Sequence, residues 1–459
     1  MMRLSEIAKV LNTAHVGVDT TILSVGTDSR RIMPGQLFVA IKGEHFDGNQ
    51  YALDALEKGA SAVLISDQTI SIEPAITVAD TRVALGRLAH YWRKRFTCPV
   101  IGVTGSNGKT TVKEMIAAIM AAANANVLAT KGNLNNDIGM PLTLLEMRDQ
   151  HTCAVIEMGM NHLGEIGYLS KIASPQIAII NNAGTAHIGE LGSRQAIAQA
   201  KGEIFEGLSE EGIAVINAND AYADYWHSLN INRKIITFGI DVNADVTASY
   251  ALQNGEIEIK LTTPNGTSQF QLPLQGKHNV MNALAASAVA FVLGVSNAAI
   301  VNGLTQFSGV KGRLNRLSGQ NDAIVIDDTY NANPDSMKAA IDVLTTEKVD
   351  SRNELVVVMG DMAELGESAE SLHKEIGHYA KERGVNRLFG FGRLSQLTTK
   401  EFGSQGEHFD SIESLISATQ AQMQPNTVVL VKGSRMMKME RVVDAIKANR
   451  EKGEHSNVT

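Results

Sequence analysis

The chain has 459 residues, of which 44% are hydrophobic and 20% are charged, and its formal net charge is −8. A chain of this length exceeds what one hydrophobic core supports and predicts about three domains, while the negative charge argues against a nucleic-acid partner. Two cysteines are too few for a disulfide framework, which is typical of a cytoplasmic protein. The sequence has no signal-peptide core and no apolar run of about 18 residues, so we expect no membrane-spanning segment.

The first unit, residues 1–82, alternates short strands and helices. Apolar segments at 36–41 and 62–66 predict strands, and 51–59 predicts a helix that ends on its glycine. The unit also contains two polar turns, at residues 27–30 and 42–48. They are either plain turns closed by Asx hydrogen bonds or a surface for a phosphate or a nucleotide, and composition does not decide between the two.

A phosphate-binding loop (P-loop) is predicted near the start of the second unit, residues 83–312. Residues 99–103 form an apolar run typical of a buried strand, and the turn TGSNGKTT leads from it into an alanine-rich segment with high helix propensity. Gly105 and Gly108 allow this turn to direct its N–H groups at an anion, and the new helix adds its positive end.

Two side chains of this turn suit a nucleoside triphosphate. Lys109 can reach the terminal phosphates, and the hydroxyl of Thr110 can hold Mg²⁺. Val103 stands where a strict Walker A pattern has its first glycine, so an ordinary Gly-rich turn is the alternative. We favour the P-loop because a strand, Gly-Lys-Thr and a helix occur together.

The rest of the second unit predicts a parallel sheet that changes to antiparallel pairing. Segments that are apolar on both faces predict buried parallel strands, and a helix over 193–208 has Ser193 as its N-cap. Alternating polarity between residues 246 and 274, with hairpin signals at Asn254-Gly255 and Asn265-Gly266, predicts antiparallel strands. The parallel strands are predicted at 154–159, 176–184, 213–217 and 234–239, and a closing helix at 278–294.

The third unit, residues 313–459, predicts a small doubly wound domain, because four strand segments each precede a helical pattern. We therefore expect an α/β protein with a small N-terminal domain, a central parallel-sheet domain with an antiparallel excursion, and a Rossmann-like C-terminal domain. The strands of the third unit are predicted at 323–334, 354–360, 387–392 and 427–433.

Polar residues follow the carboxyl ends of several predicted strands, where open α/β sheets bind ligands. Glu157 could hold Mg²⁺ against phosphates there, and His187 follows another strand end, although a lone histidine is more often structural. In the third unit, 327–335 and 432–435 occupy the same edge. The second of these segments suits a carboxylate or a phosphate, or its charges are simply solvated.

Lys201 lies inside the apolar stripe of a predicted helix, which Ile197, Ile204 and Leu208 also form. A lysine in such a stripe must extend its ammonium to solvent, pair with an acid or lose its charge. The helix alone favours the first of these outcomes.

These motifs resemble those of the Mur ligases, the ATP-dependent amide ligases of peptidoglycan precursor synthesis, over nearly the whole chain. Within the family, GNLNNDIG, DDTYNANPDS and GDMAELG are most similar to the members that add D-alanyl-D-alanine to UDP-MurNAc-tripeptide. We find no Asp-Asn-Pro-Arg motif, which the sister ligase that adds the third residue usually carries. The motifs that carry the resemblance are TGSNGKTT, KGNLNNDIGMP, IEMGMNHLGEI, NNAGTAHIGELGS, AKGEIF, GKHNVMNALAA, GRL, DDTYNANPDSM, GDMAELG and KGSR.

The resemblance implies a reaction. ATP phosphorylates the terminal carboxylate of the UDP-linked peptide, the amine of D-Ala-D-Ala attacks the acyl phosphate, and ADP and phosphate leave. Two Mg²⁺ ions would neutralise charge where the anions meet, and three domains around one site would keep water from the acyl phosphate. The expected partners of this monomer are therefore the two small-molecule substrates, with neither nucleic acid nor a membrane.

The resemblance also implies the residues of the site. Lys109, Glu157, His187 and Lys201 would be catalytic, and Thr110, Glu157, His187 and a carbamylated Lys201 would hold the metal ions. ATP would contact Gly105, Ser106, Asn107, Gly108, Lys109, Thr110 and Thr111, with Asn279 near adenine, Arg313 at the γ-phosphate and Asp328 at the ribose. Ser29, Arg30 and Gly43 would face the uridine diphosphate, and Asn135 and Asn136 the sugar–peptide.

The same resemblance assigns UDP-sugar-peptide binding to residues 1–82, ATP binding to 83–312, and closure on ATP and the amine substrate to 313–459. Two other functions are kept open. One is a sister ligase, of the third-residue or folylpolyglutamate-synthase type. The other is a P-loop regulatory switch or ATPase, which would not need the motifs of the third unit.

Overall fold

The computed structural model of the protein describes residues 1–253, 256–347 and 353–448. Within these ranges the strands form four sheets of two, five, nine and six strands. The helices described here include none that is long and apolar enough to cross a bilayer. The α/β fold class expected from the sequence is confirmed.

The first unit contains a five-stranded sheet and a two-stranded one. Its elements are β1 (Met2–Arg3), α1 (Leu4–Val10), β2 (His15–Val16), β3 (Thr21–Ile22), β4 (Ser24–Gly26), β5 (Gln36–Val39), α2 (Ala52–Glu57), β6 (Ala62–Ile65) and β7 (Ala75–Thr77). The larger sheet has the order β2-β7-β6-β5-β4, with β4 to β7 parallel. The strands predicted at 36–41 and 62–66 are confirmed as β5 and β6, which are fully buried.

The second unit is built on the nine-stranded sheet. Its elements are α3 (Thr81–Arg93), β8 (Val100–Thr104), α4 (Lys109–Ala122), β9 (Val127–Ala129), α5 (Gly139–Leu145), β10 (Cys153–Glu157), α6 (Glu165–Ala173), β11 (Ile177–Ile180), α7 (Ile188–Leu191), α8 (Arg194–Gly202), β12 (Ile213–Asn217), α9 (Ala223–Ser228), β13 (Lys234–Gly239), β14 (Val246–Gln253), β15 (Glu256–Thr263), β16 (Gly266–Leu272), α10 (Lys277–Val292) and α11 (Asn297–Thr305). The strand order is β16-β15-β14-β13-β12-β11-β8-β10-β9.

The parallel strands β8, β10 and β11 are interior strands of this sheet with every residue buried, which explains why their sequences are apolar on both faces. The antiparallel excursion is confirmed, because β14, β15 and β16 pair antiparallel. The Asn254-Gly255 turn lies outside the described residues. The second hairpin turns at residues 264–265, because Thr263 pairs with Gly266, one residue earlier than the predicted dipeptide.

The helix predicted over 193–208 is shorter in the structure. Ser193 is its N-cap as expected, with the side chain accepting from the N–H of Ala196, but α8 ends at Gly202 and a 3₁₀ turn over Glu203–Gly207 follows. Close packing against α6 accompanies this change, since a Cβ at Gly207 would lie 2.1 Å from the carbonyl oxygen of Ser170.

The third unit is a doubly wound domain, as predicted. Its elements are β17 (Asn315–Ser318), β18 (Ile324–Asp328), α12 (Pro334–Thr346), β19 (Glu354–Gly360), α13 (Ala369–Glu382), β20 (Arg387–Phe391), α14 (Ser395–Phe402), β21 (Gly406–Phe409), α15 (Ile412–Ala421), β22 (Thr427–Lys432) and α16 (Glu440–Ile446). The order is β17-β18-β22-β19-β20-β21, with β17 antiparallel to β18. Separate apolar clusters cover the two faces of the sheet.

Candidate active site

A cavity of about 610 Å³ lies between the nine-stranded and the six-stranded sheets. Its walls are the segments that follow β8, β10 and β11 on one side and β18, β19 and β22 on the other. Both sheets therefore present the carboxyl ends of their parallel strands to one space, which is where open α/β sheets bind ligands.

The P-loop after β8 is held in shape by amides from neighbouring strand ends. The N–H of Asn107 donates to Asn182 Oδ1 at 2.8 Å, and Asn181 Nδ2 donates to the Asn107 carbonyl at 2.9 Å. Gly108 has φ +79°, and a Cβ there would lie 2.3 Å from Asn282 Oδ1. The turn thus requires glycine both for its conformation and for the closeness of the amide behind it.

Lys109 opens α4 and folds back over the loop. Its ammonium donates to the carbonyl oxygens of Gly105 at 2.6 Å and Ser106 at 3.2 Å. Burial lowers the pKa of Lys109, while the nearby Glu157 carboxylate opposes that shift. Because its partners are neutral carbonyls, this cation is available to an anion in the cavity.

Thr110 contacts the first residue of the third unit. Arg313 Nη2 donates to Thr110 Oγ1 at 3.0 Å, and the guanidinium lies 4.2 Å from the centroid of the Tyr330 ring. The arginine is therefore held beside the start of α4 by a hydroxyl and an aromatic face. Ser106 and Thr111 also line the cavity. The hydroxyl of Ser106 is buried without a hydrogen-bond partner among the described residues.

Glu157 ends β10 as a buried carboxylate. Oε1 accepts from Asn135 Nδ2 at 2.7 Å, whereas Oε2 is buried without a partner among the described residues. A buried, half-satisfied carboxylate is costly without a ligand. It suits a hard cation, which prefers oxygen ligands.

Lys201 is completely buried, so the expectation that it reaches solvent is wrong. Within the described ranges its amine has no hydrogen-bond partner. Burial lowers the pKa of Lys201 well below its ordinary value, and the charge of Lys109 adds to that shift while Glu203 and Glu157 oppose it. Of the three outcomes open to this lysine, the neutral amine is the one that the environment favours.

His187 lines the same cavity in a left-handed conformation, with φ +64°. Its Nδ1 lies 2.8 Å from Glu364 Oε2, and the contact lowers the pKa of that carboxyl. Among the described residues, no three His, Cys, Asp or Glu side chains form a group that could hold a metal ion. A metal site here would therefore depend on hydroxyl, carbamate and ligand oxygens as well.

Asp328 and Lys432 form a buried ion pair at 2.6 Å. Burial raises the pKa of Asp328, and the Lys432 ammonium opposes that shift. Lys432 also donates to the Asn331 carbonyl at 2.7 Å, so its charge is not solvated. Burial, together with the charge of Lys432, lowers the pKa of His278 to about 4. His278 lines the cavity next to the buried Asn279.

The candidate substrate residues of the first unit lie elsewhere. Ser29, Arg30 and Gly43 are not among the residues that line the cavity, and Arg30 is exposed and paired with Asp28 at 2.8 Å. Asn135 lines the cavity, but Asn136 does not, since its Oδ1 accepts from the N–H groups of Ile138 and Gly139 at the start of α5.

Three further residues join the two large sheets across the cavity. Two of them belong to the segment 327–335 that the sequence predicts at this edge, but the sequence assigned no individual role to any of the three. Asn333 Nδ2 donates to Asn107 Oδ1 at 2.8 Å, and Asp335 Oδ2 accepts from the N–H and hydroxyl of Thr185. Glu364 is the third, through His187. Their motifs, DDTYNANPDSM and GDMAELG, were visible in the sequence, but their partners lie far away along the chain.

Three family models match the chain. The model described as Mur ligase family, catalytic domain, matches residues 21–93, the Mur ligase middle domain matches 103–290, and the Mur ligase, glutamate ligase domain matches 312–435.

Relatives match over nearly the full length. The UDP-N-acetylmuramoyl-tripeptide–D-alanyl-D-alanine ligase of Escherichia coli strain K12 is 42% identical over 451 residues, which cover 97% of this chain and 98% of that protein. A crystal structure of MurF from Acinetobacter baumannii has a TM-score of 0.89 at 37% identity, covering 97% of this chain and 98% of its own. MurF ligase from Thermotoga maritima in complex with ADP has a TM-score of 0.81 at 28% identity, covering 92% and 96%.

Proposed function

The chain belongs to the Mur ligase family, and we propose that it adds D-alanyl-D-alanine to UDP-MurNAc-tripeptide at the expense of ATP. ATP transfers its γ-phosphoryl group to the terminal carboxylate of the tripeptide, which gives an acyl phosphate and ADP. The amine of the dipeptide then attacks the acyl carbon, the amide bond forms, and phosphate leaves. The proton that the amine loses passes to solvent. The observation that carries the proposal is the 42% identity to a ligase of this name over 97% of the chain, with a P-loop in the shared cavity.

The cavity suits this chemistry because two sheets enclose it. A carboxylate and an amine do not condense unaided at neutral pH, and an acyl phosphate left open to water would hydrolyse. Asn333, Asp335 and Glu364 bring the third unit against the P-loop and the segment after β11. We assign water exclusion to this contact, and we place the central unit, 83–312, as the ATP-binding domain and 313–459 as the domain that closes on ATP and the amine.

The residues around the P-loop fit ATP with magnesium. The unpartnered Glu157 Oε2 and the hydroxyl of Thr110 are oxygen ligands of the kind Mg²⁺ prefers. Mg²⁺, when bound, would neutralise phosphate charge where two anions must meet. We propose two ions, with Thr110 and Glu157 toward the first and His187 and a carbamylated Lys201 toward the second.

The remaining assignments are carried over from the family resemblance, and Lys109, Arg313, Asn279 and Asp328 all line the cavity. Lys109 binds the terminal phosphates in exchange for its two carbonyl partners, and Arg313 turns from Thr110 to the γ-phosphate. Asn279 lies toward adenine and Asp328 toward the ribose. The backbone of Gly105 to Thr111 surrounds the phosphates, since its N–H groups and the start of α4 form an anion site.

Residues 1–82 are proposed to bind the uridine diphosphate through Ser29, Arg30 and Gly43, and Asn135 and Asn136 the sugar–peptide. Because Ser29, Arg30 and Gly43 are outside the cavity, the substrate must extend from the first unit to the P-loop. We propose a monomer that acts in the cytoplasm, where ATP and UDP-sugars are available.

Release of phosphate tests the function. Purified protein is given ATP, Mg²⁺ and UDP-MurNAc-tripeptide, with and without D-Ala-D-Ala, and the proposal expects rapid phosphate release only with both substrates. Release with a single amino acid or glutamate in place of the dipeptide would favour a sister ligase. Equal ATP hydrolysis with and without the peptide substrate would favour a P-loop ATPase or switch.

A further inference from the structure

Lys113 is another buried lysine, and it does not line the cavity. Lys113 is one helical turn after Lys109 on α4, and its side chain is fully buried. Its ammonium donates to the carbonyl oxygen of Thr130 and to Glu114 Oε1, each at 2.5 Å. A buried ammonium is costly unless it is paired and hydrogen-bonded, so these two contacts fix the position of Lys113.

The two partners of Lys113 differ in where they lie. The Glu114 side chain is 39% exposed, at the surface end of the contact. Thr130 is 1% exposed and bonded on three sides. Its N–H donates to the Val155 carbonyl at 3.1 Å, its hydroxyl accepts from the Glu157 N–H at 2.9 Å, and its carbonyl holds Lys113. Through Thr130, the lysine is linked to the end of β10.

Thr130 begins the segment 130–138, which carries Asn135 back to the same strand end. The Asn135 carbonyl accepts from the Gly159 N–H at 2.9 Å, and its Nδ2 donates to Glu157 Oε1 at 2.7 Å. A Cβ at Gly159 would lie 2.9 Å from Asn135 Cγ, so the contact is tight. Glu157 is therefore held at its N–H by Thr130 and at one carboxylate oxygen by Asn135, which leaves Oε2 unpartnered.

We propose that Lys113 is a positioning residue that couples the phosphate-binding helix α4 to the segment 130–138 and so orients Glu157 toward a divalent cation. The ligand class is a magnesium ion bound together with a nucleoside triphosphate, which rests on the proposed function. Residues that orient a metal ligand contribute about 10- to 100-fold to metal affinity. Lys113 itself contacts neither the cation nor the substrates.

The test compares Lys113→Met with Glu114→Gln in the full chain. Methionine keeps the length of the side chain and removes the ammonium, whereas glutamine keeps an oxygen that accepts from the Lys113 ammonium and leaves the Thr130 contact intact. Three quantities are measured: hydrogen exchange of segment 130–138 without ligands, Mn²⁺ binding with ATP by electron paramagnetic resonance, and kcat and KM for phosphate release.

We expect Lys113→Met to speed exchange in segment 130–138 and to raise the Mn²⁺ concentration for half-saturation about tenfold, with Glu114→Gln close to wild type. The proposal is overturned if the two variants behave alike, or if Lys113→Met lowers only the unfolding midpoint. If the wild-type protein shows no ligation, the proposed function is contradicted. The positioning role of Lys113 is still tested in that case, because hydrogen exchange and Mn²⁺ binding do not need turnover.

If Lys113→Met does not fold, two substitutions at Thr130 decide the question. Thr130→Val removes the hydroxyl that accepts from the Glu157 N–H, and Thr130→Ser keeps it. Weaker Mn²⁺ binding in the valine variant alone supports the proposal, and equal binding in both variants refutes it.

Discussion

Replacing Lys201 by methionine tests whether this buried amine is neutral in the folded protein. Methionine fills a similar space and has no titratable group. The ordinary pKa of the lysine amine is 10.5, and burial lowers it well below that value in the folded chain. Between the two pKa values the unfolded chain binds one more proton than the folded chain. The free energy of unfolding of the wild type therefore rises with pH, and the Lys201→Met variant lacks this contribution.

The size of the effect follows from one proton. Between the lowered pKa of the folded chain and the ordinary value of 10.5, each pH unit changes the free energy of unfolding by up to about 1.4 kcal/mol. The difference between wild type and variant should therefore grow by up to that amount per pH unit as the pH rises toward 10.5. Denaturant unfolding in buffers free of CO₂ measures this difference at each pH. A difference that does not change with pH would mean that the amine stays protonated, as an ion pair with a carboxylate requires, and would refute the reasoning.

The same neutral amine can react with CO₂. The nitrogen bonds to the carbon, the amine loses a proton, and the resulting carbamate is an anion near Glu157. We expect Lys201→Ala to lose turnover and to recover part of it with an added small carboxylate, which fills the vacated space as an anion. Recovery with a guanidinium cation in place of a carboxylate would contradict the carbamate.

Three further predictions concern the cavity. Lys109→Ala should lower kcat/KM for phosphate release by about a hundredfold or more, because an electrostatic contact to the transferred group is lost, and it should leave the unfolding midpoint unchanged. Lys171→Ala, at an exposed lysine, is the control. Near-wild-type turnover of the Lys109→Ala variant would contradict the P-loop assignment. Gly108→Ala should lower the free energy of unfolding by about 2–3 kcal/mol, because alanine is strained in the left-handed conformation and its Cβ would break the Asn181–Asn282 hydrogen bond. Gly294 has φ +73° with open space around it, so Gly294→Ala should lower the free energy of unfolding only by the backbone strain. Equal midpoints of the two variants in thermal unfolding would refute the steric argument. Asp335→Ala should lower kcat about 30-fold by removing about 2 kcal/mol of charge-assisted bonding to Thr185, while Asp342→Ala, whose carboxylate bonds Tyr379 within the third unit, should not.

The sequence predicts the buried parallel strands of the two large sheets better than the edge strands of the six-stranded sheet. Strands β8, β10, β11 and β22 are buried on both faces, so their apolar runs are unambiguous. The edge strands β17 and β21 have the sequences NRLS and GEHF and are partly exposed. No apolar run marks them, because their pairing is set by the neighbouring strand rather than by burial.

The candidate site shows the same division between local and distant information. The P-loop is local, since strand, glycines and helix are contiguous, and its geometry follows the prediction. The environment of Lys201 needs the fold, because an apolar stripe alone does not distinguish a lysine that reaches solvent from one that is enclosed. The contacts of Asn333, Asp335 and Glu364 with the central unit join residues more than a hundred positions apart, and no spacing in the sequence encodes them.

The lysine and arginine side chains in and near the cavity fall into two groups, which differ in their hydrogen-bond partners. One group can bind phosphate, and the other stabilises the fold. Lys109 donates to two carbonyl oxygens and Arg313 to a hydroxyl, and neither contact neutralises a charge. An arriving phosphate therefore replaces weak neutral contacts with charge-assisted ones. Lys432 is instead paired with the buried Asp328, and separating the two would leave a buried charge unpaired. Lys113 donates to the Thr130 carbonyl and to Glu114. The anionic ligand is thus drawn to the side of the cavity where α4 begins, and the cations of the paired sites stay in place while it binds.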